Sequence, residues 1–203
     1  RFADWQPPSN GHDHVVYVGS GFTARQQWLE AVDWTGINLR IYGHWPLLRP
    51  IADSEEVVKR LYRSILPEQD SPLIPYVVPK LVENTFTARI YRGAAIGINL
   101  HRSERWSNNA EMLVDDGEAY SMGPRGVELA ACGTFQVSDY RQEIVDVFGD
   151  SVPVASSPAD MGRLIRQYLD DPVRRGELAR QQHEAIKGRT FANHMRRVLE
   201  VAA

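Results

Sequence analysis

The stretch His14–Arg25, HVVYVGSGFTAR, does most to limit what this chain can fold into. Val15, Val16, Tyr17 and Val18 form a short apolar, β-branched run that stops at Gly19, the pattern of a strand buried on both faces. Thr23 stands where it can cap a helix that carries Trp28, Leu29 and Val32 inward. Gly36 closes that helical region, and NLRIYG, residues 38–43, is a second strand. Strand, helix and strand in that order make a β-α-β unit, whose crossover is expected to be right-handed and whose strands parallel.

Gly19, Gly21 and Ala24 fit the spacing G-x-G-x-x-G/A of a dinucleotide-binding turn. That reading also demands an Asp or Glu at the end of the second strand, to hold a ribose. Tyr42, Gly43 and His44 stand there instead, so binding of NAD or FAD is not expected. The turn keeps a physical meaning without it. Gly19 permits a sharp turn, and a helix N-terminus with free N–H groups attracts an anion such as phosphate. Arg25, near the first helical turn, either sets its planar fork on phosphate oxygens or is solvated on the helix surface.

Further along, residues 53–66 read as an amphipathic helix with Val57, Leu61 and Ile65 at spacing four, and PYVVPK as a short strand. LVENTFTARIYRGA is helical by pattern, and AIGINL, residues 95–100, is a buried strand. Residues 101–125 form a long polar loop, of the kind that is functional or mobile in a compact domain. GVELAACG, residues 126–133, is a short helix closed by Gly133, with Glu128 in its first turn, where a carboxylate complements the helix dipole. TFQVSD is a strand, YRQEIVDVFGD a helical turn or two, and VPVA a short strand. Ser157 caps the next helix, with Pro158 first and Asp160 third, and Met161, Leu164, Ile165, Tyr168 and Leu169 form its apolar face. Asp171-Pro172 restarts a helix that ends near Gly188, and Thr190 caps a last one, FANHMRRVLEVA. The repeated β-α order predicts a three-layer α/β domain with a parallel sheet. Residues 1–13, rich in Pro, Gly, Asn and Asp, read as a lead-in or linker.

Composition narrows the function. The 203 residues suit one domain or one large half of a two-domain protein, and the missing initiator Met suggests a fragment or processed product. A net charge of -3 argues against general nucleic-acid binding. No apolar run approaches the roughly 20 residues of a membrane helix, and the N-terminus lacks the order of a signal peptide. The single cysteine, Cys132, allows no internal disulfide and no Cys-based zinc site, and a cytoplasmic setting is the simple expectation.

The segments IYRGAAIGINLHR, GPRGVELAACGTFQVSDYRQEIVDVF and SPADMGRLIRQYLDDPVRRGELARQQHEAI, in that order, resemble the C-terminal half of a GT-B-type glycosyltransferase of the CgeB-type spore-protein or glycosyltransferase group 1-like family. The likeness runs from about Val15 to the C-terminus and is strongest from Ile90 to Tyr168. It implies that residues 14–203, with a C-terminal helix over 189–203, form a Rossmann-like domain that binds a nucleotide-sugar donor for transfer to an unknown acceptor. By that resemblance Glu128 holds the ribose hydroxyls and Arg125 faces the diphosphate. Gly19, Ser20 and Arg25 lie near the phosphates, Gly43 and His44 at the cleft, and Asn99 and His101 at the C-terminal end of a central strand. The leaving diphosphate is then stabilised by Arg25, Arg125, backbone N–H groups and helix dipoles without a metal, and the nucleotide sugar is a co-substrate rather than a cofactor.

Two departures bear on activity. Many relatives carry a Glu eight positions before the ribose Glu, close to the donor sugar, and this chain has Tyr120 there. A GT-B enzyme also needs an N-terminal, acceptor-binding domain, so that half is expected in the same or another chain, together with any catalytic base; no catalytic residue is assigned. The alternative is a non-catalytic nucleotide-binding or assembly module derived from such an enzyme. Among other residues, His12-Asp13-His14 reads as a polar lead-in rather than a metal site, and Asp115-Asp116 as a turn. Cys132 reads as a small packed residue, Tyr91 as core or as a base-stacking ring, and Arg174 and Arg175 as a solvated helix face.

Overall fold

A computed structural model describes residues 13–45, 71–78, 82–102, 104–106, 112–114 and 119–202. The β-α-β unit is present: β1 (His14–Val18), α1 (Thr23–Glu30) and β2 (Asn38–Tyr42), with β1 and β2 paired in parallel from His14↔Asn38 to Val18↔Tyr42. A 3-10 turn (Ile74–Tyr76) leads into β3 (Val77–Val78), followed by α2 (Asn84–Gly93) and β4 (Ile96–Asn99). Then come β5 (Glu104–Trp106), β6 (Met112–Val114), α3 (Gly123–Ala131), β7 (Gln136–Asp139), α4 (Gln142–Phe148) and β8 (Val154–Ala155). Three helices close the described chain: α5 (Pro158–Asp170), α6 (Pro172–Ala185) and α7 (Phe191–Ala202).

Six strands form one sheet in the order β3-β2-β1-β4-β7-β8, every pair parallel. The order reverses between β1 and β4, which creates a crevice at their C-terminal ends. Alternation along β1 explains the three layers. Val15 and Tyr17 join the largest core cluster, with Leu29 of α1, Met161, Leu164 and Ile165 of α5, and Leu178 of α6. Val16, pointing the other way, packs with Ile90 and Tyr91 of α2 and Leu129 of α3. Full burial of such a side chain contributes roughly 1.5–3 kcal/mol, so helices on both faces are what hold these parallel strands.

Several local expectations are corrected. Phe22, not Thr23, is the N-cap of α1 and makes no side-chain cap; Thr23 is the first helical residue. The helix ends at Glu30, well before Gly36, which supplies a positive-φ turn (75°) into β2. The polar segment 101–125 is not all loop, because β5 and β6 pair antiparallel within it. Helix α3 starts at Gly123 rather than at residue 126, so Glu128 lies in its second turn and gains nothing from the N-terminal dipole. Its end is as expected: Gly133 is left-handed (φ 72°), Thr134 N–H donates to the Leu129 carbonyl and Gly133 N–H to Ala130, a Schellman closure. Helix α6 stops at Ala185, short of Gly188. Arg174 is exposed as expected, but Arg175 is half-buried and donates to the Tyr168 carbonyl at 2.6 Å, closing the end of α5. The helix expected over 53–66 and the Asp115-Asp116 turn lie outside the described residues.

Candidate functional site

Helix α3 lies close to the sheet because small residues allow it. A side chain at Gly97 of β4 would run into Leu129, and Gly126 of α3 sits over Asn99 and Gln136. This approach lets Arg125 reach across the strand ends. Its Nε donates to the Val18 carbonyl (2.8 Å) and its Nη1 to the Leu100 carbonyl (2.9 Å), while the guanidinium stacks on the Tyr17 ring at 4.7 Å. Arg125 therefore ties the ends of β1 and β4 together where they diverge. The remaining nitrogen, Nη2, lies against Gly19, where a Cβ would collide with it.

The glycine turn differs in mechanism from its expectation. Gly19 has no positive φ; it is needed for close approach to Arg125 and Tyr17, as Gly21 is for Trp45. Gly43 does adopt a positive φ (128°) and faces the Gly19 backbone. The N–H groups of Gly19 and Gly21 donate to the carbonyls of Tyr42 and His44, each at 2.8 Å, so neither is offered to a phosphate. His44 takes part through that carbonyl, and its side chain is exposed.

Beside this turn, a pocket of about 360 Å3 opens at the C-terminal end of the sheet and the N-terminus of α3. Arg25, Asn99, His101 and Arg125 line it together, joined by Arg102 and Arg141. The pocket thus gathers four guanidinium groups from α1, α3 and the segments after β4 and β7. Burial lowers the pKa of Arg25 from its ordinary value, with Arg125 and Arg102 acting in the same direction and Tyr17 and Asp139 against them; an arginine stays cationic regardless. Its Nε is buried without a hydrogen-bond partner, and its Nη1 reaches the Ser20 carbonyl only at 3.5 Å. Asn99 is 1 % exposed, and both its side-chain oxygen and nitrogen lack partners. Buried polar groups of this kind are normally satisfied by protein or by water, and among the described residues these have no protein partner.

His101 is held by the protein at both ring nitrogens: Nδ1 lies 2.5 Å from Asp139 Oδ1 and Nε2 lies 2.7 Å from the Met122 carbonyl. Its backbone N–H also donates to both Asp139 oxygens. The ring is a fixed part of the pocket wall. Glu128 stands apart, exposed one turn beyond Arg125. Tyr120 is 55 % exposed and donates to Asp146 at 3.0 Å, facing α4 while its neighbours Ala119 and Ser121 line the pocket. Tyr91 is core, at 2 % exposure, and its hydroxyl pKa is raised by burial. Burial also raises the Cys132 thiol, which suits a packed residue and not a nucleophile.

Arg102 and Arg141 were not singled out from sequence, although a signal existed. NLHR and SDYR both place an arginine just past the C-terminal end of a strand, β4 and β7, where an open parallel sheet binds its ligands. Among the described residues, no group of three or more His, Cys, Asp or Glu could hold a metal, and no helix is long and apolar enough to cross a membrane.

A six-stranded parallel sheet with a switch-point pocket and helices on both faces defines a Rossmann-like α/β domain. The model of the glycosyl transferase-like family matches residues 25–200, and the chain belongs to that family. The fold is similar to the C-terminal domain of the glycosyl transferase group 1 family protein LpcC from Francisella tularensis, with a TM-score of 0.53 and 10 % identity over 86 % of this chain and 85 % of that one. The architecture is accordingly that of a GT-B C-terminal domain. No curated protein matches the sequence.

Proposed function

We propose that this domain binds a nucleoside-diphosphate sugar, with the diphosphate in the arginine-lined pocket and the ribose at Glu128, for transfer of the sugar to an acceptor held by an N-terminal half in the same or another chain. The observation that carries this reading is the set of four arginines around Asn99, whose buried amide lacks a partner, at the switch point of the sheet. Charge that develops on the departing diphosphate is met by fixed cations and by the N-terminus of α3, which need no rearrangement during the reaction. Arg25 supplies an Nε with no protein acceptor, and Arg125 adds Nη2 beside Gly19. No metal has a role in this reading, so EDTA leaves binding unchanged.

Calorimetry with UDP, GDP and ADP tests it. Arg25→Ala is the most informative variant, because among the described residues the side-chain hydrogen bond of Arg25 is the long one to Ser20, its other contact being the Phe22 ring at 5.4 Å; a matched urea midpoint separates loss of binding from loss of fold. Losing one charge-assisted hydrogen bond weakens binding about ten-fold or more. Glu128→Ala should weaken nucleotides with ribose far more than inorganic pyrophosphate. Millimolar or weaker binding of all three nucleotides, unchanged by either substitution, defeats the proposal.

One observation favours the non-catalytic alternative. The residue at the position of the relatives' sugar-side Glu is Tyr120, and its side chain is engaged with Asp146. On that reading the pocket binds the nucleotide, yet the protein together with its N-terminal half releases no sugar from any donor.

A further inference from the structure

The ring of His101 sits between two acceptors. Asp139, as a carboxylate, only accepts, and so does the Met122 carbonyl. Both hydrogen bonds exist together only when Nδ1 and Nε2 each carry a proton, that is, as the imidazolium. A neutral ring that kept its bond to Asp139 would turn the Nε2 lone pair toward the Met122 carbonyl oxygen, 2.7 Å away. Two lone pairs at that distance repel.

Met122 is the N-cap of α3, the helix that carries Gly123, Pro124 and Arg125 into the pocket. Its backbone is gripped on both sides. The carbonyl takes the His101 proton, and the N–H donates to Glu143 of α4 at 2.9 Å. Glu143 N–H in turn donates to the Tyr120 carbonyl at 3.1 Å. His101 is thus the link in this clasp whose bonding depends on whether its ring carries one proton or two. Among the described residues, the other charged groups around the ring are Asp139 at the end of β7, Arg141 after it, Arg102 beside the ring in sequence, Arg25 on α1, Arg125 on α3, and Glu143 behind Met122.

We propose that His101 is a positioning residue that, as an imidazolium, clasps the N-terminus of α3 to Asp139 and so makes the pocket's affinity for a diphosphate depend on pH. This rests on the donor-binding reading above. With the ring neutral, the Met122 carbonyl is released, the start of α3 loses its anchor, and the pocket loses one positive charge. Binding of a dianion then favours uptake of a proton.

Two measurements test this. In spectra of the ligand-free protein labelled with 15N-histidine, both His101 ring nitrogens should carry protons at about pH 6, below the ordinary imidazole value. Loss of one proton at higher pH should move the Met122 and Gly123 amide signals, and in His101→Gln these amides should stay still. Calorimetry with UDP-glucose, GDP-glucose and ADP-glucose, whose diesterified diphosphates keep a constant charge over this range, should show affinity about ten-fold weaker above the titration than below it, the effect of about one charge-assisted contact. His101→Gln should bind at the weaker level throughout. A ring that is neutral at about pH 6, or parallel pH profiles for the wild type and His101→Gln, overturns the proposal. Absence of binding by any donor at any pH overturns the donor reading instead, and the ring and amide spectra then decide the clasp alone.

Discussion

Among single residues, Arg125 joins structure to site. Two of its nitrogens bridge carbonyls from β1 and β4, and a third faces the glycine turn. Lysine keeps the charge but has no planar fork, so it cannot span both carbonyls. Arg125→Lys should lose about 1–3 kcal/mol in urea unfolding, the cost of a buried acceptor left unpaired, and should also lose donor affinity. Retention of both would show the bridge to be incidental. Gly43 is a second sensitive point, because any side chain there faces a positive φ and the Gly19 backbone together. Gly43→Ala should therefore destabilise by about 1–3 kcal/mol, read as a lower urea midpoint with an unchanged slope. Gly19 and Gly43 were legible as candidate site residues from spacing and resemblance. Their physical role was not, since Gly19 packs against Arg125, far along the chain, and Gly43 against the Gly19 backbone, approaches that only the tertiary structure sets.

At the level of elements, local chemistry often sufficed. Ser157 Oγ accepts from Asp160 N–H at 3.1 Å, and Asp171 caps α6 through Arg174 N–H at 2.9 Å. Ser157→Ala should cost about 1 kcal/mol. The Asp160 carboxyl is held below its usual 3.8 by the Ser156 N–H first and by Arg163 next. A depressed folded-state value means that this contribution is present above about pH 3.8 and is lost as pH falls through the lower folded value. Urea midpoints measured from neutral pH down to about pH 3 should therefore drop less steeply for Asp160→Asn than for the wild type. Where elements were misread, the cause was tertiary. Met122 lies outside the expected helix, yet its carbonyl and N–H are held by His101 and Glu143, and α3 begins beside it. The pairing of β5 with β6 likewise lies inside a segment whose polarity hides it.

Across the whole molecule, the pocket collects side chains from Arg25 to Arg141, so a ligand seated there braces segments remote in sequence. A donor at about 100 times its Kd adds about 2.7 kcal/mol to stability by mass action. For a domain of this size that corresponds to a Tm rise of about 5–10 °C, measurable by differential scanning calorimetry. The rise should shrink with added salt, because four guanidinium groups supply the attraction. A donor that binds tightly without raising Tm would mean that it also binds the unfolded chain. Remote polar residues brace the fold in the same way. Gln182 of α6 accepts the Gln136 N–H at 3.2 Å, and its own amide donates to Ser151 at 2.6 Å. It completes the edge of β7 where β8, paired only from Ser138, is too short to reach.

The pattern of β-branched runs, glycine stops and capped helices was enough to specify a parallel α/β sheet with helices on both faces, because each of those signals acts between residues a few positions apart. The motif order in the second half of the chain was enough to point to the family. The arginine pocket, the grip of two protein acceptors on His101, and the use of the Gly19 and Gly21 amides by the neighbouring strand could not be read in this way. They arise where β1, β4 and β7 end side by side beneath α3, and side chains distant in sequence meet there only because the sheet order brings those ends together.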